Sequence, residues 1–356
     1  MEKKGVEKEI IKNRREFLFL YDVDHCNPNG DSLTNEPRID EDTGICYITP
    51  QRLKSVIRQA LSEMGEEVFL VEETVRKLLG EAKNEAENGS GSGSKKKGGV
   101  SGKEVMVKAV GGADKINAIY IDARLFGGVY TVKKQKKDGE QDIKNVSYIG
   151  PVQFCFGRSL HRVARATIHG TCIVPSQESN TQGTMTEKHI IRYGLFAFYG
   201  VANEKNAEPV KLTNEDIDKM LKAMWYGIKG CSRVHTDSKM GHEPRLLLEV
   251  TYKEGVKDTV GELHRRVRII PDDEFREEEI RDVSQFVIDI TPLVSALEKK
   301  KDKIERIRLK IGDRVRVLYR NEEYDCSTQD CEEKLLQLLN SRLSGVKISS
   351  LDFEGI

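Results

Sequence analysis

The sequence predicts an α+β fold in which an antiparallel, ferredoxin-like sheet carries helices on one face. The first observation is an apolar segment at residues 16–24, followed by a basic amphipathic helix that begins near Thr49. The second is a strongly apolar segment at residues 188–201, followed by a helix that opens with a capping box at residues 213–216. The third is a compositionally different stretch between these two strand–helix units, which indicates an insertion.

The first unit begins with a predicted central strand. Residues 16–24 are apolar on both alternating faces until Asp22 and Asp24 take over one of them. The loop that follows contains Pro28, Asn29 and Gly30, which favour a tight turn. Carboxylates and a sharp turn therefore lie at the carboxyl end of this strand.

The helix after this turn has Thr49 as its predicted cap and Pro50 as its first residue. No acid stands at helical spacing from Lys54 or Arg58. A solvated helix face would explain these cations on the helix alone, whereas their position after a strand end favours contact with a polyanion. The polar face of the helix consists of Gln51, Arg52, Lys54, Ser55 and Arg58.

The middle of the chain predicts a peripheral lobe. Residues 71–86 have the apolar spacing of a second helix, and residues 88–99 are rich in Gly, Ser and Lys and can bury almost nothing. We predict that residues 61–146 form an insertion and that residues 88–102 form a flexible loop within it.

Order resumes with a predicted strand at residues 148–157 that contains Gln153. A basic patch follows it, and residues 168–187 have the polar composition of an exposed hairpin. A small-residue loop at residues 231–241 leads into a strand at residues 245–252. The cationic or ionisable residues of the basic patch are Arg158, His161, Arg162 and Arg165.

The last hundred residues predict further short elements. The predicted strands are 267–270, 285–290, 304–311 and 314–319, and the predicted helices are 292–301 and 328–343.

The composition limits the kinds of partner that the chain can bind. The chain has 58 basic and 58 acidic residues, so any site for a polyanion must be local. Seven scattered cysteines agree with a reducing compartment, no apolar run approaches membrane-spanning length, and the amino terminus does not resemble a signal peptide. We therefore expect a soluble cytoplasmic protein without a membrane partner.

Two kinds of chemistry compete. Asp22, Asp24 and Asp31 could hold a divalent cation, although acids at strand ends and turns are commonplace. The pairs Cys231 with His235 and Cys326 with Cys331 have no second ligand pair at matching spacing, and no nucleotide-binding or nucleophile motif is present. We expect no catalytic residue, no metal and no cofactor.

Binding to a phosphate backbone explains more of the sequence. Cations occur at the ends of predicted elements, where a ferredoxin-like sheet could bring them to one edge. Gly241 permits close approach of backbone amides to phosphate oxygens. The candidate residues at these ends are Lys54, Arg58, Arg158, Arg162, Arg233, Ser238, Lys239 and Gly241.

Several motifs, in one order, also resemble a known family. They are Phe19-Leu-Tyr-Asp-Val-Asp-His-Cys-Asn-Pro-Asn-Gly-Asp31, Pro37-Arg-Ile-Asp-Glu-Asp-Thr-Gly44, Ile48-Thr-Pro-Gln-Arg-Leu-Lys-Ser-Val-Ile-Arg58, Asp122-Ala-Arg-Leu-Phe-Gly127, Gly150-Pro-Val-Gln-Phe154 and Ser238-Lys-Met-Gly-His-Glu-Pro-Arg-Leu246. Over residues 16–255 the chain resembles the CRISPR RNA-binding backbone subunit of type I Cascade complexes, a group of the RAMP superfamily, and subtype I-B is the nearest match.

The resemblance implies a modified RNA-recognition-motif palm at residues 1–60 and 147–356. It implies a helical finger lobe at 61–146 and a thumb hairpin at about 161–189. Several copies would line up on one CRISPR RNA and present it to target DNA, whose sequence is read by base pairing. The implied partners are CRISPR RNA, target DNA, further copies of the chain in a filament, other Cascade subunits and a recruited helicase-nuclease.

The resemblance also assigns roles to residues. Lys54, with Gln51, Arg52 and Arg58 near it, and the loop at residues 238–241 would grip the RNA backbone. Gln153 and Arg158 would be secondary contacts, and Met185 would be a wedge. Backbone subunits of type III complexes instead cut RNA with a loop aspartate and a metal ion, so an RNase that uses Asp24 or Asp31 is the alternative.

Overall fold

The structure is a computed structural model that describes residues 9–88, 106–107, 110–135, 141–171, 185–233, 236, 239–328 and 330–353. Most of the predicted flexible loop at 88–102, the tip of the predicted thumb hairpin and Ser238 lie outside these residues. The strands are β1 (Arg15–Cys26), β2 (Arg38–Ile39), β3 (Cys46–Ile48), β4 (Gly127–Gln135), β5 (Gln141–Ile149), β6 (Val152–Phe154), β7 (Gly157–Ser159), β8 (Arg165–Thr171), β9 (Met185–Ala202), β10 (His242–Tyr252), β11 (Arg268–Pro271), β12 (Phe286–Asp289), β13 (Ile304–Ile311), β14 (Arg316–Tyr319), β15 (Glu322–Asp325) and β16 (Lys347–Ser350).

The helices lie between these strands. They are α1 (Pro50–Glu63), α2 (Glu72–Asn88), α3 (Ala113–Ile119), α4 (Ile121–Phe126), α5 (Glu204–Val210), α6 (Asn214–Gly230), α7 (Thr291–Lys300) and α8 (Cys331–Arg342). Among the residues that the structure describes, none of the helices has both the length and the apolar character needed to cross a membrane.

The chain divides into two compact units. One consists of Met1–Lys12, Ile57–Gln153 and Ala202–Ala223, and the other of Asn13–Val56, Phe154–Val201 and Met224–Ile356. The first therefore groups the predicted finger segment with residues that follow β9. We call them the smaller and the larger unit.

The larger unit is built on one wide sheet. Within the described residues, ten strands form this sheet in the order β16-β13-β10-β1-β9-β7-β3-β2, and β6 and β8 pair with β9. β1 is central and antiparallel to β10, from Arg15 opposite Thr251 to Val23 opposite His242. The two outermost strands on the β10 side, β13 and β16, are parallel to each other.

β1 is buried on both faces, which explains its uninterrupted apolar sequence. Phe17, Leu18, Phe19 and Leu20 are each 0% exposed. Leu18 and Leu20 belong to a core cluster that α7, α8 and the short strands of the last hundred residues also line. On the opposite face, the ring of Tyr21 stacks on Phe198 with centroids 5.7 Å apart.

Two helix starts confirm the predicted caps. The backbone N–H of Arg52 donates to the hydroxyl oxygen of Thr49 at 3.2 Å. At the start of α6, the N–H of Asp216 donates to the Thr213 hydroxyl at 3.2 Å, and the N–H of Thr213 donates to the Asp216 carboxylate at 3.0 Å. Each cap satisfies amides that a helix leaves without an intrahelical partner.

The prediction of one strand over residues 148–157 is wrong. β5 ends at Ile149 and β6 begins at Val152, because Gly150 and Pro151 interrupt the pairing. Proline has no N–H to donate to a neighbouring strand. A Cβ atom at Gly150 would lie 2.1 Å from the backbone carbon of Phe126, so the chain passes too closely here for any side chain.

The smaller unit has its own small core. Helices α2, α3 and α4 and the β4–β5 hairpin surround a cluster that includes Phe69, Leu78, Ile116, Tyr120 and Tyr130. The rings of Phe69 and Tyr120 lie 5.2 Å apart. The segment therefore packs on aromatic side chains of its own.

The last hundred residues add a four-stranded sheet in the order β11-β12-β14-β15, which packs with α7 and α8 on the larger core cluster. Cys326 and Cys331, which the sequence suggests only as an improbable zinc pair, are joined by a disulfide with Cα atoms 4.8 Å apart. The link closes the turn between β15 and α8.

Candidate nucleic-acid interface

The turn after β1 is held by its asparagines. The Asn29 side-chain oxygen accepts from the backbone N–H of Thr49 at 2.7 Å, which fixes the start of α1 against the turn. The Asn27 amide donates to the backbone oxygen of Asn35 at 2.7 Å. These contacts place the first turn of α1 beside the carboxyl end of β1, as the predicted turn chemistry requires.

Asp31 has a structural role in the same turn. Its carboxylate accepts from the backbone N–H of Leu33 at 2.9 Å and forms an ion pair with Arg38 at 2.9 Å. The hydrogen bond from Leu33 and the charge of Arg38 lower the pKa of Asp31. Asp22 is also occupied, because it is buried and accepts from Arg245 Nε and the Tyr193 hydroxyl, each at 2.8 Å.

Residues 239–241 lie against the turn after β1. Lys239 Nζ donates to the backbone oxygen of Asn27 at 2.6 Å, and the N–H of Asp24 donates to the backbone oxygen of Gly241 at 2.8 Å. Gly241 has a φ of 109°. The half-buried Lys239 ammonium is thereby fixed near the start of α1.

Three cations meet in this region of the larger unit, and we call Arg52, Arg233 and Lys239 the cation cluster. Arg52 Nη2 donates to the backbone oxygen of Arg233 at 3.3 Å. Burial and the Arg52 charge lower the pKa of Lys239 to about 8. Burial also lowers the pKa of Arg52, and the charge of Arg233 lowers it further.

The cation cluster lacks a compensating acid within the described part of the chain. No carboxylate of a described residue lies within ion-pair distance of Arg52, Arg233 or Lys239, although exposed cations elsewhere commonly have such partners. Like charges held together raise the free energy of the protein unless an anion binds between them. The arrangement is therefore suited to binding phosphate oxygens.

Other predicted residues of α1 have different environments. Gln51 is exposed and Lys54 is half-buried. Arg58 is in the smaller unit, where its Nε donates to the buried carboxylate of Asp122 at 2.8 Å and its guanidinium lies 5.1 Å from the Phe126 ring centre. Helical spacing did not reveal this acid, because Asp122 comes from α4. Arg58 is thus engaged in an internal ion pair.

The remaining predicted contacts are dispersed. Gln153 donates to the backbone oxygen of Gly150 at 3.0 Å. Arg158 of β7 lies over the ring of Tyr47, and Arg162 Nε donates to the backbone oxygen of Thr43 at 3.1 Å. Met185 is the first described residue of β9, opposite Thr171 of β8. The structure groups Arg52, Arg233, Lys239 and Gly241, and it places these other residues on separate elements.

Asn27 and Tyr47 make contacts in this region that the sequence alone does not predict. The sequence does carry a signal for Asn27, because an asparagine in a turn commonly forms hydrogen bonds with nearby backbone groups. Tyr47 gave no signal, since its contact with Arg158 depends on the pairing of β3 with β7. In the part of the chain that the structure describes, no group of three or more His, Cys, Asp or Glu side chains is arranged to hold a metal ion.

We predict that Gly241→Ala destabilises the larger unit. A Cβ atom at this position would lie 2.2 Å from the backbone oxygen of Asp24. The positive φ alone costs on the order of 1–3 kcal/mol for a residue with a side chain, and the collision adds to it. Thermal unfolding measures the loss. Gly255→Ala is the matched control, because Gly255 has a φ of 79° and a methyl group there would meet nothing within 4 Å. Equal losses in both variants would contradict a role for the collision.

The chain resembles known proteins both in sequence and in fold. The family model described as CRISPR-associated protein Cas7 matches residues 13–291. A CRISPR-associated protein Cas7 from Haloferax volcanii is 31% identical over 326 residues, which cover 85% of this chain and 90% of the relative. A chain of a CRISPR RNA-guided surveillance complex solved in a pre-nicking state has a similar fold, with a TM-score of 0.52 at 12% identity, covering 93% of this chain and 99% of that one.

Proposed function

Since the chain belongs to the family of CRISPR-associated protein Cas7, we propose that it is a multi-copy backbone subunit of a type I-B Cascade surveillance complex. In this role it binds CRISPR RNA through the phosphate backbone and presents the bases for pairing with invading DNA. The similarity of fold to a chain of an RNA-guided surveillance complex agrees with this proposal. Other copies of the chain, other Cascade subunits and a recruited helicase-nuclease are the proposed protein partners.

The cation cluster is the observation that carries the proposal. Arg52, Arg233 and Lys239 keep their charges close together without a described acid, and the partial burial of Arg52 and Lys239 limits how far water can screen those two. A phosphate placed there relieves the repulsion and gains charge-assisted hydrogen bonds. Contacts of this kind fix a strand without reading its sequence, which suits a subunit that must accept any guide.

The sheet supports a ferredoxin-like palm as the scaffold. Its central strands run in the order β10-β1-β9-β7, with α1 after β1 and α6 after β9. Two strand–helix units interleaved in one sheet are the arrangement expected of that palm. The antiparallel pairing of β8 with β9 supports a thumb hairpin at about residues 161–189.

We propose that the subunit is not itself an enzyme. Asp31 is occupied by Arg38 and a backbone N–H, and Asp22 by Arg245 and Tyr193, so both carboxylates have internal partners. Asp24 is exposed beside His25. RNA binding therefore accounts for this region better than an RNase that uses Asp24 or Asp31.

We predict that RNA co-purifies with the protein. A backbone subunit protects a guide of uniform length, so the ratio of nucleic-acid to protein absorbance is high and falls after ribonuclease treatment. Protein that is free of nucleic acid and does not bind added guide RNA would refute the proposal. Incubating the assembled complex with complementary RNA and Mg²⁺ should leave that RNA intact, and cleavage abolished by Asp31→Ala or Asp24→Ala would instead establish the RNase.

We further predict that RNA affinity falls as pH rises through about 8. Lys239 is charged below its pKa of about 8 and loses its proton above it. Phosphate binding favours the charged ammonium, so above this pH binding must take up a proton and the affinity falls by up to about tenfold per pH unit. Titrations from about pH 7 to about pH 9.5 would measure the effect.

Neighbouring groups do not share this titration. Burial raises the pKa of Cys26 to about 12 and lowers that of His242 to about 3, so both stay neutral across the range. Arg52 keeps its charge because the ordinary pKa of arginine lies far above the range. Lys239→Arg is the control, since a guanidinium stays charged and should remove the pH dependence. An unchanged pH profile in that variant would show that another group is responsible.

A further inference from the structure

A tyrosine and an arginine lie side by side on the sheet of the larger unit. Tyr47 of β3, Arg158 of β7 and Ala197 of β9 stand directly opposite one another in adjacent strands. Directly opposed residues of paired strands share one face of a sheet. The guanidinium carbon of Arg158 lies over the Tyr47 ring, 5.6 Å from its centre, which is within the range of a cation–π contact. We call these two side chains the Tyr47–Arg158 pair.

The neighbouring glycine identifies this face. A Cβ atom at Gly157 would lie 2.2 Å from the Phe198 ring, so residue 157 faces the side of the sheet that carries Phe198. Arg158, the next residue of the strand, points to the opposite side. Ala197 on that side is part of the core cluster, whereas Tyr47 and Arg158 stay half-buried. The Tyr47–Arg158 pair is therefore only partly covered on this face of the sheet.

Arg158 differs from most half-buried arginines of the chain. Arg58 is paired with Asp122, Arg124 with Asp216 and Arg316 with Asp272. Within the described residues, no carboxylate lies within ion-pair distance of Arg158, whose guanidinium instead contacts the Tyr47 ring. A guanidinium that lies over an aromatic ring and has no carboxylate partner is suited to a planar ligand that carries negative charge nearby.

Two further planar side chains lie near Arg158, His264 in space and Phe156 along the chain. The His264 ring stacks on Tyr199 with centroids 5.6 Å apart and planes 20° from parallel. His264 Nδ1 is buried and has no hydrogen-bond partner among the described residues. Phe156, two residues before Arg158, is 53% exposed. Burial lowers the pKa of His264, and Arg158 is among the charges that lower it further. The two side chains therefore lie close enough to interact electrostatically.

We propose that the Tyr47–Arg158 pair, aided by Phe156 and His264, binds one unpaired nucleobase of a single-stranded nucleic acid. The inference rests on the proposed function and adds to it a contact with a base, separate from the phosphate grip of the cation cluster. Bases stack on aromatic rings and on arginine planes without regard to sequence, because every base has a planar face. The base comes from either the guide RNA or a captured DNA strand, which share this chemistry.

The test uses the full chain and short fluorescent oligonucleotides of uridine or thymidine. Arg158→Lys keeps the charge but removes the plane, and Tyr47→Leu removes the ring, so each should weaken binding roughly tenfold. Tyr47→Phe should bind like the unchanged protein. Arg320→Lys is the matched control, since Arg320 also lies over a tyrosine, 5.2 Å from the Tyr319 ring centre, and should have no effect.

An abasic oligonucleotide of the same length separates base stacking from phosphate binding. The unchanged protein and Arg158→Lys should bind it equally. An equal loss of affinity for the abasic and the normal oligonucleotide in Arg158→Lys would overturn the proposal that the Tyr47–Arg158 pair binds a base. A loss confined to uridine assigns the site to RNA, and a loss confined to thymidine assigns it to DNA. Unchanged affinity in both Arg158→Lys and Tyr47→Leu would refute the proposal that the Tyr47–Arg158 pair binds a base, but it would not contradict the proposed function. An unchanged protein that binds no oligonucleotide would refute the proposed function instead.

Discussion

The double variant Arg52→Ala with Lys239→Ala should bind guide RNA at least about 100-fold more weakly than the unchanged protein, because each lost charge-assisted hydrogen bond contributes about 1.5–3 kcal/mol. Both side chains belong to the cation cluster, in which no described acid substitutes for a phosphate. Each phosphate contact to a single strand also contributes about 0.7 to the slope of log affinity against log salt. The slope should therefore become shallower by about 1.4.

Charge-matched substitutions elsewhere provide the control. Arg276→Ala with Lys334→Ala also removes two positive charges, but each of these residues is exposed and paired with a nearby acid. This variant should bind almost normally. Equal losses in the two double variants would mean that net charge governs binding, and an unchanged salt slope in the first would show that the cluster does not touch the strand. Thermal unfolding of all variants excludes loss of folding as the cause.

Asp122→Ala should cause the largest loss of stability, about 3–5 kcal/mol of the free energy of unfolding. The buried carboxylate accepts from Arg58 Nε at 2.8 Å and from the backbone N–H groups of Phe69 and Leu70 at 2.7 and 3.2 Å. Its removal leaves the Arg58 side chain, which is only 16% exposed, without its acid. It also leaves the backbone N–H groups of Phe69 and Leu70 without this acceptor. Urea unfolding followed by circular dichroism measures the effect.

Two further variants test the explanation. Asp114→Ala removes an exposed carboxylate that accepts one hydrogen bond from Tyr148, so it should cost less than about 1 kcal/mol. Combining Asp122→Ala with Arg58→Met removes the stranded charge and should recover part of the lost stability. A double variant less stable than Asp122→Ala alone would indicate that packing of Arg58 on Phe126, and not its charge, dominates.

Local signals predicted local structure well. Thr49 and Thr213 cap their helices as expected, because a cap depends only on residues within one turn. Residues 304–311 form a strand at the predicted bounds. The strand predicted over residues 148–157 is broken, because its interruption reflects the close passage of Phe126 beside Gly150, which spacing along the sequence does not encode.

The candidate site was predictable to a lesser degree. The motifs that resemble the backbone subunit family are confirmed by the family match over residues 13–291. These motifs contain Arg52 and Lys239, but they contain Arg58 as well. They do not show that Arg58 is held in an ion pair with Asp122, because that pair depends on tertiary structure. The hydrogen bond that Lys239 donates to the backbone oxygen of Asn27 likewise joins residues that are distant in sequence.

The central position of β1 has a consequence for synthesis of the chain. Phe17, Leu18, Phe19 and Leu20 are synthesised well before the strands that cover them, since β9 begins only at Met185 and β10 only at His242. At roughly 5–20 residues per second, this apolar strand waits on the order of 10–45 s for its last neighbour. A nascent chain that exposes such a segment for so long is a substrate for chaperones, and we expect its yield in cells to depend on them.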